Sequence, residues 1–191
     1  LVTASMEGIW DGEAVRSLLL SPTGRIRADF HVLRSPGEGF LLLQGPGQPE
    51  AVATLLAPYV LSSDVELVAA VPTGLLVTPR LGPRWTVTRG GGVPGDAVPV
   101  GAEALEAWRI RHGIAGFPID LDADSLPAEA GLDAEPVIDR TKGCYLGQEV
   151  IARLEARGGN VNRALRGLRL GAPCAAGAEV TLGGQSVGRV T

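Results

Sequence analysis

The segment GRIRADFHV, residues 24–32, alternates polar and apolar side chains without a break. A repeat of two fits a half-buried strand, with its apolar side chains on one face and its polar side chains on the other. The polar set contains Asp29 and His31, which we therefore expect on the less buried face. The turn SPTG precedes this strand, and EGFLLLQ, residues 38–44, follows it after a short loop. The two segments predict a β-hairpin.

Further short elements follow the hairpin. QPEAVATLLAPYV, residues 48–60, has the spacing of a helix, with a proline near each end. Three segments separated by Pro/Gly turns are typical of strands, namely residues 64–71, 74–80 and 84–90. The glycine-rich loop 89–101 lacks the residues that a nucleotide-binding loop requires. This succession predicts an α+β sandwich with a mainly antiparallel sheet.

Two more helices are predicted in the second half of the chain. AEALEAWRIRHG, residues 102–113, places Leu105 and Trp108 on one face and has Gly113 as its terminator. GQEVIARLEAR, residues 147–157, is the other helix. Its predicted buried stripe is Val150, Ile151 and Leu154.

The remaining segments define the predicted domains. Residues 117–140 form a long, irregular connection rich in Pro and Asp, which indicates a functional or wrapping loop. Residues 163–191 combine short strands with Gly-rich turns and stop within a strand, so we expect the incomplete start of a small β-barrel module. Residues 1–162 would then form the core, which could divide into two interleaved subdomains.

The composition is ordinary for a soluble globular protein, with 45% hydrophobic and 20% charged residues. The longest apolar stretches fall far short of the roughly 18 residues that a membrane span needs. The 2 cysteines make neither a disulfide framework nor a zinc site, which favours a reduced, cytoplasmic protein. A formal net charge of −4 argues against a general nucleic-acid binder. We therefore expect neither a membrane nor nucleic acid as a direct partner.

Charge is unevenly distributed along the second half of the chain. Residues 103–139 hold nine acidic and two basic side chains, an excess of seven negative charges. Residues 140–169 hold seven basic and two acidic side chains, an excess of five positive charges. The basic segment could favour an anionic ligand or a thiolate. Equally, the two segments could pack together and neutralise each other.

The motif KGCY, residues 142–145, begins the basic segment and contains Lys142, the only lysine of the chain. Cys144 lies just ahead of the predicted helix, whose first N–H groups, together with the Lys142 ammonium, would stabilise a thiolate. Such a cysteine could be a nucleophile, a redox group or a soft metal ligand, or simply a small buried residue. Cys174 lies in a Gly/Ala-rich turn, and we interpret it as structural. Two thiols this far apart cannot by themselves hold an iron–sulfur cluster, which needs about four protein ligands. A cluster shared between subunits stays open but is not implied, and no metal site is predicted.

The residues around Cys144 allow two interpretations each. Gly143 and Gly147 would permit either close approach to a ligand or ordinary loop and cap geometry. Tyr145 could stack on an aromatic ligand or be half-buried packing. Glu149 and Arg153 are spaced as a surface ion pair, but Arg153 could instead meet a carboxylate ligand and Glu149 a ligand amide.

The longer motif KGCYLGQEVIAR, residues 142–153, resembles the signature of the YgfZ family. These are folate-binding relatives of the glycine-cleavage T protein, an aminomethyltransferase, and they include mitochondrial iron–sulfur assembly factors. LSPTGRIRADFHVLR, YVLSSDVEL, WRIRHGI, LPAEAGL and GAEVTLGGQSVGRV resemble further landmarks of the family in the expected order. The resemblance implies a T protein-like core, a central tetrahydrofolate site and a role with iron–sulfur proteins. Through iron–sulfur enzymes that act on tRNA, it also implies an indirect link to tRNA modification.

The resemblance also implies a set of site residues. The motif contributes Lys142 and Cys144 as catalytic candidates. The candidates for folate contacts are Gly143, Tyr145, Gly147, Gln148, Glu149 and Arg153 from the motif, with Asp29 and Arg109 from elsewhere. Two departures argue against aminomethyl transfer itself. Ala28 stands where the aminomethyltransferases have one of two adjacent acids, and Arg111 stands where they have a glutamate that grips the pterin.

Three hypotheses follow from these residues. The first is a tetrahydrofolate-binding accessory protein for iron–sulfur enzymes, with folate between the core and the KGCY loop and Cys144 near its one-carbon end. Its partners would be folate and iron–sulfur client or assembly proteins. The second is a folate-dependent one-carbon transferase, and the third is a folate-sensing scaffold without chemistry.

Overall fold

The computed structural model describes residues 1–9, 12–35, 39–61, 64–69, 75–78, 84–89, 98–134 and 136–191. Its largest element is a five-stranded sheet of order β3-β2-β1-β5-β4, in which neighbouring strands are antiparallel. The strands are β1 (Glu13–Leu20), β2 (Ile26–Arg34), β3 (Phe40–Gln44), β4 (Leu75–Thr78) and β5 (Arg84–Arg89). The predicted hairpin is confirmed as the pair β2–β3, with His31 opposite Leu43.

The later strand predictions have mixed outcomes. Those for residues 74–80 and 84–90 are confirmed by β4 and β5 over residues 75–78 and 84–89, and the remaining positions lie outside the described residues. The prediction for residues 64–71 is wrong over 64–69, which hold no strand, while residues 70–71 lie outside the described residues. Val65 and Val68 are 55% and 71% exposed there, so this stretch buries no apolar face against the sheet.

Three α-helices accompany the strands in the described part of the chain. They are α1 (Val52–Leu56), which continues as a 3₁₀ turn over Ala57–Tyr59, α2 (Ala102–Arg111) and α3 (Gln148–Ala156). Each lies where the sequence predicts it, and Gly113 follows α2 with a φ of 65°. The predicted buried faces are less accurate. Leu105 of α2 is exposed and only Ile151 of α3 is fully buried, because both helices lie on the surface.

Both faces of the sheet are covered at its central strands β1 and β2. One face contributes Leu18, Leu20 and Ile26 to a first cluster, completed by Ile151 and by apolar residues of the connection. Those connection residues are Phe117, Leu121, Leu132, Val137 and Ile138, and Ala115 just before the connection joins them. The other face forms a second cluster with Ala4 and Ile9 of the N-terminal segment and with Val52 of α1; its sheet residues are Val15, Leu19, Ala28, Phe30 and Val32. The connection therefore wraps the sheet, as one of its two interpretations predicts.

The half-buried assignment of β2 is wrong, because the polar face of the strand is also covered. Asp29 and His31 are each 8% exposed. Burial, aided by the nearby Arg16 cation, lowers the pKa of His31 to about 3, so its imidazole is neutral near pH 7. An Arg16–Asp29 ion pair allows this face to be buried, and alternation within a single strand does not reveal it.

The C-terminal segment 163–191 holds one antiparallel hairpin, β6 (Glu179–Leu182) with β7 (Gln185–Arg189). No closed barrel forms within this described segment. A 3₁₀ turn over Pro127–Ala130 completes the regular structure of the described chain. Among the described residues, none of the helices has both the length and the apolarity needed to span a bilayer.

Candidate functional site

The thiol loop, which we define as residues 139–147, joins the connection to the start of α3. Asp139 organises its first residues. One carboxylate oxygen of Asp139 accepts hydrogen bonds from the Thr141 N–H at 2.7 Å and the Thr141 hydroxyl at 2.8 Å. The same oxygen accepts from the Lys142 N–H at 3.1 Å. These bonds, with Thr141 foremost, hold the pKa of Asp139 below its usual value, so the carboxylate stays ionised as the acceptor.

Lys142 extends from the thiol loop to the N-terminal segment. Its Nζ donates to the carbonyl of Val2 at 2.6 Å and to the carbonyl of Ala4 at 3.1 Å. Burial lowers the pKa of Lys142, and the Asp139 carboxylate opposes that shift. These two hydrogen bonds give a structural reason for the single lysine. Its role as a catalytic group stays a prediction.

The end of the thiol loop is fixed by a close backbone approach. Gly147 has a φ of 78°, and a Cβ added there would lie 2.6 Å from the carbonyl oxygen of Ser21. One turn further on, Val150 packs against Gly24, where an added Cβ would lie 3.0 Å from the Val150 side chain. The start of α3 therefore lies directly on the turn between β1 and β2, which is the SPTG sequence. Gly147 provides loop geometry here, as one of its two interpretations predicts.

Tyr145 and Leu146 attach the middle of the thiol loop to both clusters. Tyr145 is half-buried against the first cluster, and burial raises the pKa of its hydroxyl. Leu146 packs against the second cluster, on the other face of the sheet. The backbone N–H of Tyr145 donates to the side-chain oxygen of Gln148 at 3.1 Å, which closes the loop onto the first residue of α3. The packing interpretation of Tyr145 agrees with this position.

Cys144 is exposed between these anchors. The alternative of a small buried residue is therefore wrong, because the loop turns its thiol toward solvent. Cys174 is also a free, exposed thiol, outside any helix or strand. In the part of the chain that the structure describes, no group of three or more His, Cys, Asp or Glu side chains is placed to hold a metal ion.

Glu149 and Arg153 form the surface ion pair that their spacing predicts, one turn apart on α3. Their side chains are 82% and 58% exposed, so the pair is open to water and to ligands. Gly143 is exposed, and a Cβ added there would meet nothing within 4 Å. Its folate contact, like those of the other motif residues, stays a prediction.

Asp29 lies on the central strand β2, where Arg16 of β1 holds its carboxylate. Arg16 Nε donates to Asp29 Oδ1 at 2.9 Å, and Nη2 donates to the second carboxylate oxygen. Arg16 Nη2 also donates to the carbonyl of Ala115 at 2.7 Å. The Gln48 side chain bonds both the N–H and the carbonyl of Asp29. A ligand that contacts this carboxylate must share it with Arg16.

Arg109 of α2 occupies a similar network. Its guanidinium donates to both carboxylate oxygens of Glu106, at 2.8 Å and 2.6 Å, and to Asp120 and the Ile114 carbonyl. The hydrogen bonds to Glu106 are the largest cause that holds the pKa of Arg109 above its usual value. A Cβ added at Gly116 would lie 3.3 Å from this guanidinium.

Asp29 and Arg109 therefore converge on one segment, residues 114–120. Arg16 holds the Ala115 carbonyl from the Asp29 side, and Arg109 holds Ile114 and Asp120 from the α2 side. Within the described chain, no hydrogen bond or ion pair joins Asp29 or Arg109 to the thiol loop. The candidate residues thus form two groups, one at the thiol loop and one around residues 114–120.

Arg16, which belongs to the Asp29 network, and Glu129, which lies outside both groups, were not identified as candidates from the sequence. Arg16 is the lone charge within the apolar run AVRSLLL, which is a signal for a buried ion pair, but its partner is identified only by the strand register. Glu129 is 7% exposed and accepts from Arg163 Nε at 2.7 Å. Arg163 also reaches Asp122 at 3.3 Å, so the acidic and basic segments do neutralise each other at this point.

The structure and the candidate site together define a class of protein: an α+β domain with a mainly antiparallel sheet that presents an exposed cysteine on an anchored loop. Comparisons with known proteins identify relatives of this chain. A chloroplastic protein of Arabidopsis thaliana that carries the provisional name of transferase is 40% identical over 95 residues, 50% of this chain and 21% of that protein.

Two further relatives match shorter segments. A mitochondrial iron–sulfur cluster assembly factor IBA57 homologue of Chaetomium globosum is 46% identical over 56 residues, 29% of this chain and 13% of that protein. The tRNA-modifying protein YgfZ of Hamiltonella defensa is 48% identical over 59 residues, 29% of this chain and 17% of that protein. No family model matches the chain.

These relatives are members of the YgfZ/IBA57 family, and the chain is their homologue over part of its length. The resemblance to the YgfZ family stated from the sequence is therefore confirmed as a partial similarity to members of that family. The matched segments cover about a fifth or less of each relative.

Proposed function

We propose that this protein is a tetrahydrofolate-binding accessory protein for the assembly or maintenance of iron–sulfur enzymes, and that Cys144 is its reactive residue. The observation that carries the proposal is the exposed thiol of Cys144, held between anchors on both sides. The names of two relatives, an iron–sulfur assembly factor and a tRNA-modifying protein, support this role. Its link to tRNA modification would be indirect, through iron–sulfur enzymes that act on tRNA.

The proposed folate contacts come from both groups of candidate residues. The thiol loop and α3 offer Gly143, Tyr145, Gly147, Gln148, Glu149 and Arg153. The segment 114–120 is bordered by Asp29 and Arg109. The exposed Arg153 guanidinium is suited to the glutamate carboxylate of folate. We place the protein in the cytoplasm, because both of its cysteines are free thiols.

Titration calorimetry with tetrahydrofolate tests the binding part of the proposal. We expect saturable binding by the unmodified protein and nearly the same affinity for Cys144→Ala, because the thiol is proposed to act on the one-carbon end and not to hold the pterin. An absence of binding heat, confirmed by equilibrium dialysis, would refute folate binding.

A cellular assay tests the role of the thiol. Cys144→Ala should abolish rescue of an iron–sulfur-dependent tRNA-modifying activity in bacteria that lack their own YgfZ. Cys174→Ala is the matched control, because it removes the other exposed thiol of the chain and should leave rescue intact. Equal rescue by both variants would contradict a reactive Cys144 and would favour a scaffold role.

A second function, a folate-dependent one-carbon transferase, is favoured by a separate observation. Among the relatives described above, the one whose provisional name is transferase matches the largest share of this chain, 50%. Turnover assays with tetrahydrofolate and aminomethylated or methylated donors distinguish the two functions. Multiple turnovers that are lost in Cys144→Ala would replace the accessory role with an enzymatic one.

A further inference from the structure

The N-terminal segment, residues 1–4, lies along β1 beyond the point where β5 ends its pairing. β5 pairs with β1 only at residues 13–15. Further along β1, the Thr3 N–H donates to the Leu18 carbonyl at 3.0 Å, and the Leu18 N–H donates to the Thr3 hydroxyl at 2.9 Å. Thr3 and Ala4 have no exposed surface. Thr3 and Ala4 are therefore part of the core, and they fix the segment against β1.

The carbonyls of this segment all accept hydrogen bonds from the thiol loop. The Leu1 carbonyl accepts from the Leu146 N–H at 3.4 Å, and the Thr3 carbonyl accepts from the Asp139 N–H at 3.0 Å. The carbonyls of Val2 and Ala4 both accept from Lys142 Nζ. Four consecutive carbonyls are thus bonded by a loop whose Cys144 lies midway between residues 142 and 146.

A lysine suits this position better than an arginine. The two carbonyls that bind Nζ belong to residues two apart, and a single ammonium carries three donors around one atom. A guanidinium is planar and wider, and its donors diverge, so it fits two nearby acceptors of this kind poorly. Bonding to two backbone carbonyls fixes the half-buried side chain and, with it, the loop from which it extends.

We infer that Lys142 is a positioning residue that holds Cys144 in place by binding the N-terminal segment through the Val2 and Ala4 carbonyls. The biological consequence of this inference rests on the proposed function, in which Cys144 is the reactive residue. It differs from the catalytic role that the sequence predicts for Lys142. In the catalytic role the Lys142 ammonium takes part in the reaction. In the positioning role it holds the loop that carries Cys144 against the N-terminal segment.

Hydrogen exchange of the whole protein, followed by NMR, tests the inference without any functional assay. Lys142→Met and Lys142→Arg should each speed exchange of the Asp139 and Leu146 amides by about tenfold or more. Amides of the β2–β3 hairpin should be unaffected. Arg153→Met is the matched control, since it removes an exposed cation of the adjoining helix. Unchanged exchange at Asp139 and Leu146 in both lysine variants would overturn the inference.

Thr3→Val separates positioning from chemistry because it leaves Lys142 intact. Valine has the shape of threonine but lacks the hydroxyl that bonds Val137 and Leu18. We expect faster exchange at Leu146 and weaker cellular rescue, as in Lys142→Met, in protein shown by circular dichroism to be folded. If Thr3→Val speeds exchange at Leu146 but still gives full cellular rescue, the positioning of Cys144 does not matter for function, and the positioning role is overturned. If Cys144→Ala also gives full rescue, the proposed function fails, while the exchange data still decide whether Lys142 anchors the loop.

Discussion

Gly147→Ala is the substitution that most directly tests how the thiol loop is held. Gly147 has a φ of 78°, in the left-handed region that disfavours any side chain. An added Cβ would also lie 2.6 Å from the Ser21 carbonyl oxygen and 2.9 Å from Gly24 Cα. Both neighbours are backbone atoms, so no rotation of a side chain relieves the contact.

The expected loss has two parts. Placing alanine in the left-handed region costs about 1–2 kcal/mol. Forcing a methyl group into a packed backbone contact costs about 1–3 kcal/mol, because the turn or the start of α3 must move. We therefore expect the free energy of unfolding to fall by about 3 kcal/mol. For a chain of this size that corresponds to a decrease in Tm of about 6–12 °C.

Two other glycines separate these contributions. Gly113 has a φ of 65° but open space around its Cβ position, so Gly113→Ala should lose only the conformational part, about 1 kcal/mol. Gly143 has neither a left-handed φ nor a neighbour within 4 Å, so Gly143→Ala should change stability by less than about 0.5 kcal/mol. Urea unfolding followed by circular dichroism measures all three variants. If Gly147→Ala costs no more than Gly113→Ala, the contact between the start of α3 and the β1–β2 turn does not exist in solution.

Two further predictions concern the buried polar face of β2. The pKa of His31 is about 3 in the folded state against 6.5 in the unfolded state. Between these two pH values the unfolded state binds more protons, so the free energy of unfolding falls as the pH is lowered from 6.5 toward 3. Urea unfolding at pH 4 and pH 7 should show a smaller decrease for His31→Phe than for the unmodified protein or for His112→Phe; equal decreases would contradict a buried neutral His31. Asp29→Asn leaves Arg16 buried without its counter-ion and should lower the free energy of unfolding by about 3–5 kcal/mol, whereas a change below 1 kcal/mol would show that the pair is solvated.

The outcome for β2 shows which parts of the fold local sequence patterns can predict. Alternation over residues 24–32 identifies the strand and its hairpin, because the side-chain period depends only on the chain itself. The same alternation wrongly predicts that the face with Asp29 and His31 is less buried. The residues that cover this face, such as Phe117 and Leu121, are about ninety positions further along the chain. The lone Arg16 within an apolar strand is the one local sign that this face carries a buried charge, and only the register with β2 pairs it with Asp29.

The candidate site divides in the same way between local and distant contacts. The exposed surface pair on α3, the helix start and the turn at Gly147 follow from spacing and residue type. The contacts of Lys142 do not, because its acceptors are 140 and 138 positions earlier in the chain. Because Lys142 and Cys144 are close in sequence, the sequence suggests that the ammonium acts on the thiol. In the fold, the ammonium instead donates to two backbone carbonyls.

The order of residues in the motif has a physical explanation in these contacts. Tyr145 and Leu146 are adjacent, and each packs against a different cluster, on opposite faces of the sheet. Before these two residues, Lys142 bonds the loop to the N-terminal segment. After them, Gly147 has no side chain and so leaves room for the β1–β2 turn. Of the side chains of residues 142–146, those of Lys142, Tyr145 and Leu146 have such contacts, while Cys144 is exposed. Packing and hydrogen bonds account for its neighbours, and the exposed position of Cys144 is the one that its proposed reactive role requires.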